Sequence, residues 1–480
     1  MVFSSPTFLF YFFPLFFVLY FVSGRSNAVI FLLSLLFYAW GGLTHVPLLL
    51  FYIIVNYAAG LAVGAAPHKR WILALGVALN LSLLLLFKYL GFLEDQAQTL
   101  AAWLGGGPLP QFRLALPLGI SFFTFQGISY LVDISRGDVR PQRSLLKFAM
   151  YKTMFPQLIA GPIVRYRQIA GKIDGRRVSL FRLRHGAMLF ALGLGQKCLL
   201  ANTVAFPADA IFRLPDGQLT AGTAWLGTAC YMVQIFFDFA GYSNMAIGMG
   251  HMMGFSFPAN FNRPYCAQSV TEFWRRWHMS LSTWFRDYLY LPLGGNRGGV
   301  WRTYRNLILV FLLCGLWHGA NWTFAVWGLY QGCFLIIERL GVARVLAGLW
   351  RPLRHLYLLL VVAAGWVIFR ADSLSQAGHF FAVMSGWGEG SPGLAPVARY
   401  LTPSVVTALA AAAVITAMPQ WSERRLRADL RRVLATIPRA RAAVDGTVAI
   451  AFGAGSLALV AAAAFSLATN TYNPFIYFRF

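Results

Sequence analysis

Long apolar runs, broken by short polar or basic segments, recur from one end of the chain to the other. A helix that crosses a bilayer needs about 20 mostly apolar residues. Runs of that kind lie near 7–23, 28–44, 46–66, 71–90, 115–132, 186–206, 220–250, 320–338, 353–370, 403–418 and 447–468, with a shorter apolar stretch at 305–317. The period-two alternation that marks a transmembrane barrel strand is absent. The pattern predicts an all-α polytopic membrane protein with about 11–12 spans. The first run lacks the basic flank and A-x-A-like site of a secretory signal, so it reads as the first span. No long polar stretch marks a second domain, and no repeat or inverted pair of halves stands out. A single transmembrane unit over 1–480 is the expectation.

Composition agrees with that pattern. Hydrophobic residues make up 58% of the 480 positions and charged residues only 12%, against about a quarter charged in soluble domains. The net charge of +24 would suggest nucleic acid in a polar protein, but binding it requires Lys and Arg along one solvated face. Here they are separated by apolar runs, so no nucleic-acid partner is expected. They concentrate at Lys69–Arg70, 133–185, 260–305, 339–354 and 424–441, and are nearly missing from 91–114, 207–219 and 371–402. Cytoplasmic loops carry the excess of Lys and Arg, which predicts basic loops inside, the N-terminus outside, and contact with anionic lipid. The five cysteines (Cys198, Cys230, Cys266, Cys314, Cys333) lie in or beside apolar segments without metal-ligand spacing, so they read as small packing residues and no metal is expected.

Ionisable residues at membrane depth are costly and direct attention to function. Lys88, toward the basic-poor end of its span, reads as a structural residue that snorkels to the interface. Asp238 shares helical spacing with Gln234, Tyr242, Ser243 and Asn244; these form either a structural hydrogen-bond network or a polar strip with a functional role, to which Asn321 could add. His318 follows a short apolar stretch and precedes a full span, with Gly315 and Gly319 allowing close backbone approach and Trp317, Asn321 and Trp322 beside it. It reads either as a buried histidine satisfied by a carbonyl or as a general base, since its ordinary pKa lies near neutrality.

From Glu272 to Gly299 the pattern changes. At 100° per residue, Phe273, Trp277, Leu281, Trp284 and Tyr288 share one face, with Arg275, Arg276, Arg286 and Asp287 opposite. This predicts an amphipathic helix at 272–291 lying in the cytoplasmic interface and ended by Pro292 and the LGGNRGG turn. His278 falls on the border of the two faces. It is either an interfacial histidine bonded to a neighbour or a second catalytic histidine facing a cytoplasmic opening. The arginines could hold the phosphates of a cytosolic donor or of lipid headgroups.

Several enzyme signatures are missing. There is no G-x-S-x-G elbow, no P-loop ending in Lys-Ser/Thr, no H-E-x-x-H, and no His followed five residues later by Asp. One or two intramembrane histidines without a serine nucleophile fit direct attack of a hydroxyl on a thioester, with histidine removing the proton.

At these residues the sequence resembles the membrane-bound O-acyltransferase superfamily, and within it the bacterial alginate O-acetyltransferase group. The resemblance runs through MVFSSPTFLF, SLLFYAWG, LPLGISFFTFQGISYLVD, FPQLIAGPIVRY, QIFFDFAGYSNMAIG, NFNRPY, EFWRRWHMSLSTWFRDYLYLPLGGNR, GLWHGANWTFAVWG, GWVIFRA and the terminal FIYFRF. It implies a bowl-shaped helical bundle in the bacterial inner membrane, with a tunnel through a thinned membrane. The superfamily's catalytic histidine maps onto His318 and the second catalytic-centre position onto His278. The resemblance also implies a co-substrate rather than a resident cofactor: acetyl-CoA or another acyl-phosphopantetheine would arrive from the cytoplasm, with Arg275, Arg276 and Arg286 at its phosphates. Exopolysaccharide machinery and periplasmic SGNH-like acetyltransferase proteins are the implied partners. At Gln331 relatives often carry a histidine, and no role is assigned there. Two other transfers fit the same fold: D-alanyl transfer to teichoic acid, and acetyl transfer to peptidoglycan or cellulose. A transporter without transferase activity predicts paired broken helices and symmetric halves, which the pattern does not contain.

Overall fold

Where the apolar runs meet a Ser, Thr or Asn, helices begin. In the computed structural model, the side chains of Ser26, Ser144, Ser179, Thr220, Ser269, Asn321 and Ser373 each accept a backbone N–H of the helix they precede, an interaction worth about 1 kcal/mol per cap. The structure describes residues 2–65, 69–112, 114–388, 390, 396–417, 438–469 and 472–476; the side chains of 438–446 and 449 are outside that description. No strand occurs among the described residues. The basic run at 424–437 and the last four residues of FIYFRF, both used in the sequence reading, lie outside the described residues.

Among the described residues, five helical stretches are long and apolar enough to cross a membrane: Leu43–Ala65, Lys69–Trp103, Leu180–Ile211, Arg351–Arg370 and Ile450–Thr469. Phe8–Val22, Asn27–Ala39 and Pro403–Ala417 are apolar but shorter. The remaining expected spans are helices of another kind. Ile120–Arg136 and Ala221–Met252 carry buried polar side chains and are enclosed by the protein on most sides, so composition alone does not mark them as lipid-facing. Helix Lys69–Trp103 also runs well beyond the expected span at 71–90 and converts most of the expected 91–114 loop into helix.

The largest departure lies in 133–185, expected as a solvated basic loop. Residues Phe148, Met150, Tyr151, Met154, Phe155 and Leu158 are completely buried. Helices Leu145–Thr153 and Phe155–Leu158 are too short to span, yet their apolar side chains enter the bundle, where Phe155 contacts Phe12 and Phe16 at ring separations of 5.3 and 4.8 Å. Irregular backbone at this depth is tolerated because protein, not lipid, surrounds it.

Close helix contacts frame the centre. Gly186 and Gly193 of Leu180–Gly195 face Gly248 and Gly241 of Ala221–Met252; a Cβ on Gly241 would lie 2.6 Å from the Gly193 carbonyl oxygen, and one on Gly248 2.5 Å from that of Gly186. Small residues at two-turn spacing thus let the two backbones touch.

Candidate active site

His318 ends helix Val300–His318, which turns through Gly319–Asn321 into Trp322–Ile337. Gly315 and Gly328 make the turn possible: a Cβ on either would collide with backbone of the facing helix. Asn321 caps the second helix, its Oδ1 accepting the Thr323 N–H at 3.0 Å, while its Nδ2 donates to the Asp372 carbonyl. The last carbonyls of the first helix have no intrahelical donors, and two side chains of helix Lys69–Trp103 supply them. The Lys88 ammonium donates to the carbonyls of Trp317 (2.5 Å) and His318 (3.0 Å), and the Tyr89 hydroxyl donates to that of Leu316. Lys88 therefore does not snorkel to the interface. A cation at a helix C-terminus suits the macrodipole as well, and here it fixes the backbone that carries His318.

The His318 ring sits edge-on to Trp327 (5.3 Å) and Phe369 (5.1 Å). Its ring nitrogens have no hydrogen-bond partner among the described residues, so the reading of a histidine satisfied by a carbonyl is not met.

His278 is reached by a different route. The expected single amphipathic helix at 272–291 is two helices, Val270–Arg276 and Met279–Phe285, the second continuing as a widened turn over Arg286–Tyr290. Between them His278 has φ 41° and ψ 54°, the left-handed conformation that non-glycine residues adopt only where surrounding structure holds them. Three contacts do so. The Glu338 carboxylate accepts the N–H groups of Val270 (2.5 Å) and Thr271 (2.9 Å). The Asn262 N–H donates to the Arg276 carbonyl, and the Met279 N–H to that of Asn260, both at 2.9 Å. The result places His278 only 1% exposed, not on a border facing the cytoplasm. Its Nδ1 lies 3.0 Å from Asn260 Oδ1, and its ring meets Phe239 edge-on at 4.6 Å.

The two histidines line one void of about 20 Å³, walled by Trp277, Trp327, Trp366 and Phe369. That is room for about one water or hydroxyl oxygen. His318 also lines a second cavity of about 140 Å³ with Lys88 and Trp317. Lys88 and Leu116 continue from there into spaces of about 520 and 250 Å³ beside Asn321. A series of cavities sharing lining residues therefore leads from the basic-poor segments at 91–116 and 320–322 to the histidine pair. Two buried indole N–H groups, of Trp317 and Trp327, have no hydrogen-bond partner among the described residues.

The polar strip on Ala221–Met252 does not form one network. Asp238 pairs with Lys197 at 2.6 Å and accepts the Ile476 N–H at 2.8 Å, which folds residues 472–476 against the bundle and brings Ile476 to the wall of the histidine void. Tyr242 stacks on Phe3 at 4.3 Å, Asn244 donates to Gln196, and Gln234 Oε1 is buried without a partner among the described residues. None of these side chains lines the cavities described above, whereas Asn321 does. Gln331 accepts a hydrogen bond from the Trp274 indole at 3.1 Å, a structural contact.

The arginine expectation is also redistributed. Arg276 pairs with Glu272 at 2.6 Å and Arg275 is exposed. Arg286 joins a cluster that sequence reading missed: Asp287 receives Arg165 (2.6 Å), Arg286 (2.8 Å) and Arg167 (3.0 Å), while Arg136 donates to its carbonyl oxygen. Burial alone would raise the Asp287 carboxyl, but hydrogen bonds from Arg286 and Arg165 and their charges hold it below its ordinary value. VRYR at 164–167, two arginines inside an apolar stretch, was the available signal.

Comparison with known proteins decides what this arrangement belongs to. Residues 120–375 match the model of the membrane-bound O-acyltransferase family. The chain belongs to that family. It is a multi-pass membrane O-acyltransferase. The full chain is 41% identical to the full length of the probable alginate O-acetylase of Azotobacter vinelandii and 40% identical to that of Pseudomonas putida. A peptidoglycan O-acetyltransferase of Helicobacter pylori is 35% identical over 78% of each chain. The matched region contains His278, Asn260 and His318 as well as the Asp287 cluster, whereas Lys88 lies before it.

Proposed function

We propose that this acyltransferase moves an acetyl group from a thioester on the cytoplasmic side to a hydroxyl on the opposite side, and that the acetyl group ends on an exported polysaccharide. Alginate is the favoured polymer, because two full-length relatives carry that name. The donor is acetyl-CoA or another acyl-phosphopantetheine, arriving at the Arg-rich cluster around Asp287, where exposed Arg286 meets phosphate, with exposed Arg275 on the same 272–291 stretch as a further phosphate contact. The basic loops set the orientation, with the N-terminus outside the inner membrane. A periplasmic SGNH-like acetyltransferase receives the group and, with the exopolysaccharide machinery, passes it on.

His318 takes the proton from the acceptor hydroxyl as its oxygen attacks the thioester carbonyl. The carbon–sulfur bond breaks, and the leaving thiolate takes the proton back from the imidazolium. Negative charge grows on the carbonyl oxygen meanwhile, and preorganised donors in a dry site are the usual means of stabilising it. The unpartnered indole N–H groups of Trp317 and Trp327 supply such donors. The observation that carries the reading is His318 itself: its ring nitrogens lack a partner among the described residues, and the ring faces both the cavity series and the void shared with His278.

The test is the O-acetyl content of the secreted polysaccharide and of peptidoglycan in a deletion strain, with and without the wild-type gene. Loss of base-labile acetate from the exopolysaccharide alone is expected. Loss from peptidoglycan alone would move the acceptor to the cell wall, the reading favoured by the Helicobacter relative, and loss from neither would contradict acetyl transfer to a glycan.

A further inference from the structure

The hydrogen bonds around Asn260 determine more than the position of His278. Asn260 is 1% exposed. Its Oδ1 accepts from the Ser280 backbone N–H at 3.4 Å and from the Ser280 hydroxyl at 2.8 Å, and its Nδ2 donates to the Ser243 hydroxyl at 3.0 Å. The Ser280 oxygen also accepts the Ile163 N–H at 2.9 Å. Rotating the Asn260 amide by half a turn would set its NH2 against the Ser280 N–H, two donors facing each other. The amide orientation is thus fixed, and an oxygen, which can only accept, faces His278 Nδ1 at 3.0 Å.

We infer that Asn260 is a positioning residue that holds neutral His278 in the tautomer protonated at Nδ1, leaving the lone pair on Nε2. This rests on the reading of His278 as part of the acetyl-transfer centre. A neutral imidazole has one N–H, so with Nδ1–H committed to Asn260 the other nitrogen only accepts. His278 then presents a proton acceptor in the centre whose void it shares with His318. His318 is the titratable group that faces it across this void, and the rings of Phe239, Phe261 and Trp317 packed against His278 carry no charge. The broken helix serves the same end. With the left-handed turn at His278 its ring reaches Asn260, which is anchored on the opposite side by Ser243 of helix Ala221–Met252.

Magic-angle-spinning NMR of 13C,15N-histidine-labelled full-length protein in lipid nanodiscs reads the tautomer directly. The His278 signals are assigned by their loss in His278→Ala. In mildly alkaline buffer, the nitrogen coupled to Cγ is expected to be pyrrole-like and the one coupled to Cδ2 pyridine-like. Asn260→Leu, which removes the acceptor, is expected to mix the tautomers and to lower polysaccharide acetylation roughly tenfold or more, part of the ~10²–10⁴-fold that positioned proton transfer contributes. Asn260→Asp keeps an oxygen facing Nδ1 and is expected to retain both the tautomer and most of the acetylation. An Nε2–H signal in the wild type, or an unchanged tautomer in Asn260→Leu, would overturn the inference. Normal acetylation by His278→Ala would instead remove the functional reading beneath it, whatever the spectrum shows.

Discussion

Replacing His318 by alanine is expected to abolish polysaccharide acetylation while the protein accumulates in the membrane at its normal level. The two halves of that expectation have separate physical grounds. His318 makes no side-chain hydrogen bond among the described residues, and its ring touches Trp327 and Phe369 edge-on. Its loss therefore removes packing worth roughly 1–3 kcal/mol but strands no buried partner. The backbone at this point is held independently, by Lys88 and Tyr89 at the helix end and by the Gly315–Gly328 crossing. The chemistry has no such reserve. Lys88, which lines the same cavity, is committed to the Trp317 and His318 carbonyls, and a positioned base contributes about 10²–10⁴ in rate. Immunoblotting of membranes beside acetate release from the polymer measures both halves. Acetylation retained in His318→Ala would remove the assignment.

The second large effect concerns His278. His278→Ala is expected to reduce acetylation by about two orders of magnitude, and His278→Gly to do the same. The glycine variant separates chemistry from backbone. Glycine adopts the φ of 41° found here without cost, so it relieves whatever strain the histidine carries. If His278 served only to shape the turn, His278→Gly would be active and His278→Ala impaired. If both are impaired alike, the imidazole is what matters. The double variant with His318→Ala should be no worse than His318→Ala alone, because groups that act as a unit do not contribute additively.

Much of this was legible along the chain and some was not, for identifiable reasons. The helices follow from apolar runs and capping residues, both local properties. His318 was legible because an ionisable residue between two apolar segments has few structural excuses. Lys88 was misread because its partners lie 229 and 230 positions away, and a lysine near a span end usually does snorkel. Asp238 looked like part of a polar strip because helical spacing cannot reveal that Lys197 and the returning C-terminal segment claim its carboxylate.

The break at His278 was hidden for a subtler reason. The amphipathic period continues through 272–288, and neither Gly nor Pro marks the interruption. A single left-handed residue redirects the chain without disturbing the pattern of residue types. Asn260 carries no signal in the sequence because its role lies in a three-dimensional hydrogen-bond arrangement with Ser243, on one helix, and His278 and Ser280, on the 272–291 stretch. The buried helices at 145–158 were read as loop because their apolar stretch is too short to span and is flanked by arginines, which also drew attention away from Arg165 and Arg167 around Asp287.

The central claim is that a thioester on the Lys/Arg-rich face and a hydroxyl from the opposite face meet at His318. Oriented membrane vesicles given radiolabelled acetyl-CoA from outside test it most directly. Inside-out vesicles carrying the wild-type protein are expected to transfer label to acceptor enclosed within them, whereas right-side-out vesicles and inside-out vesicles carrying His318→Ala are not. Equal transfer in both orientations, or transfer that survives His318→Ala, would contradict the account.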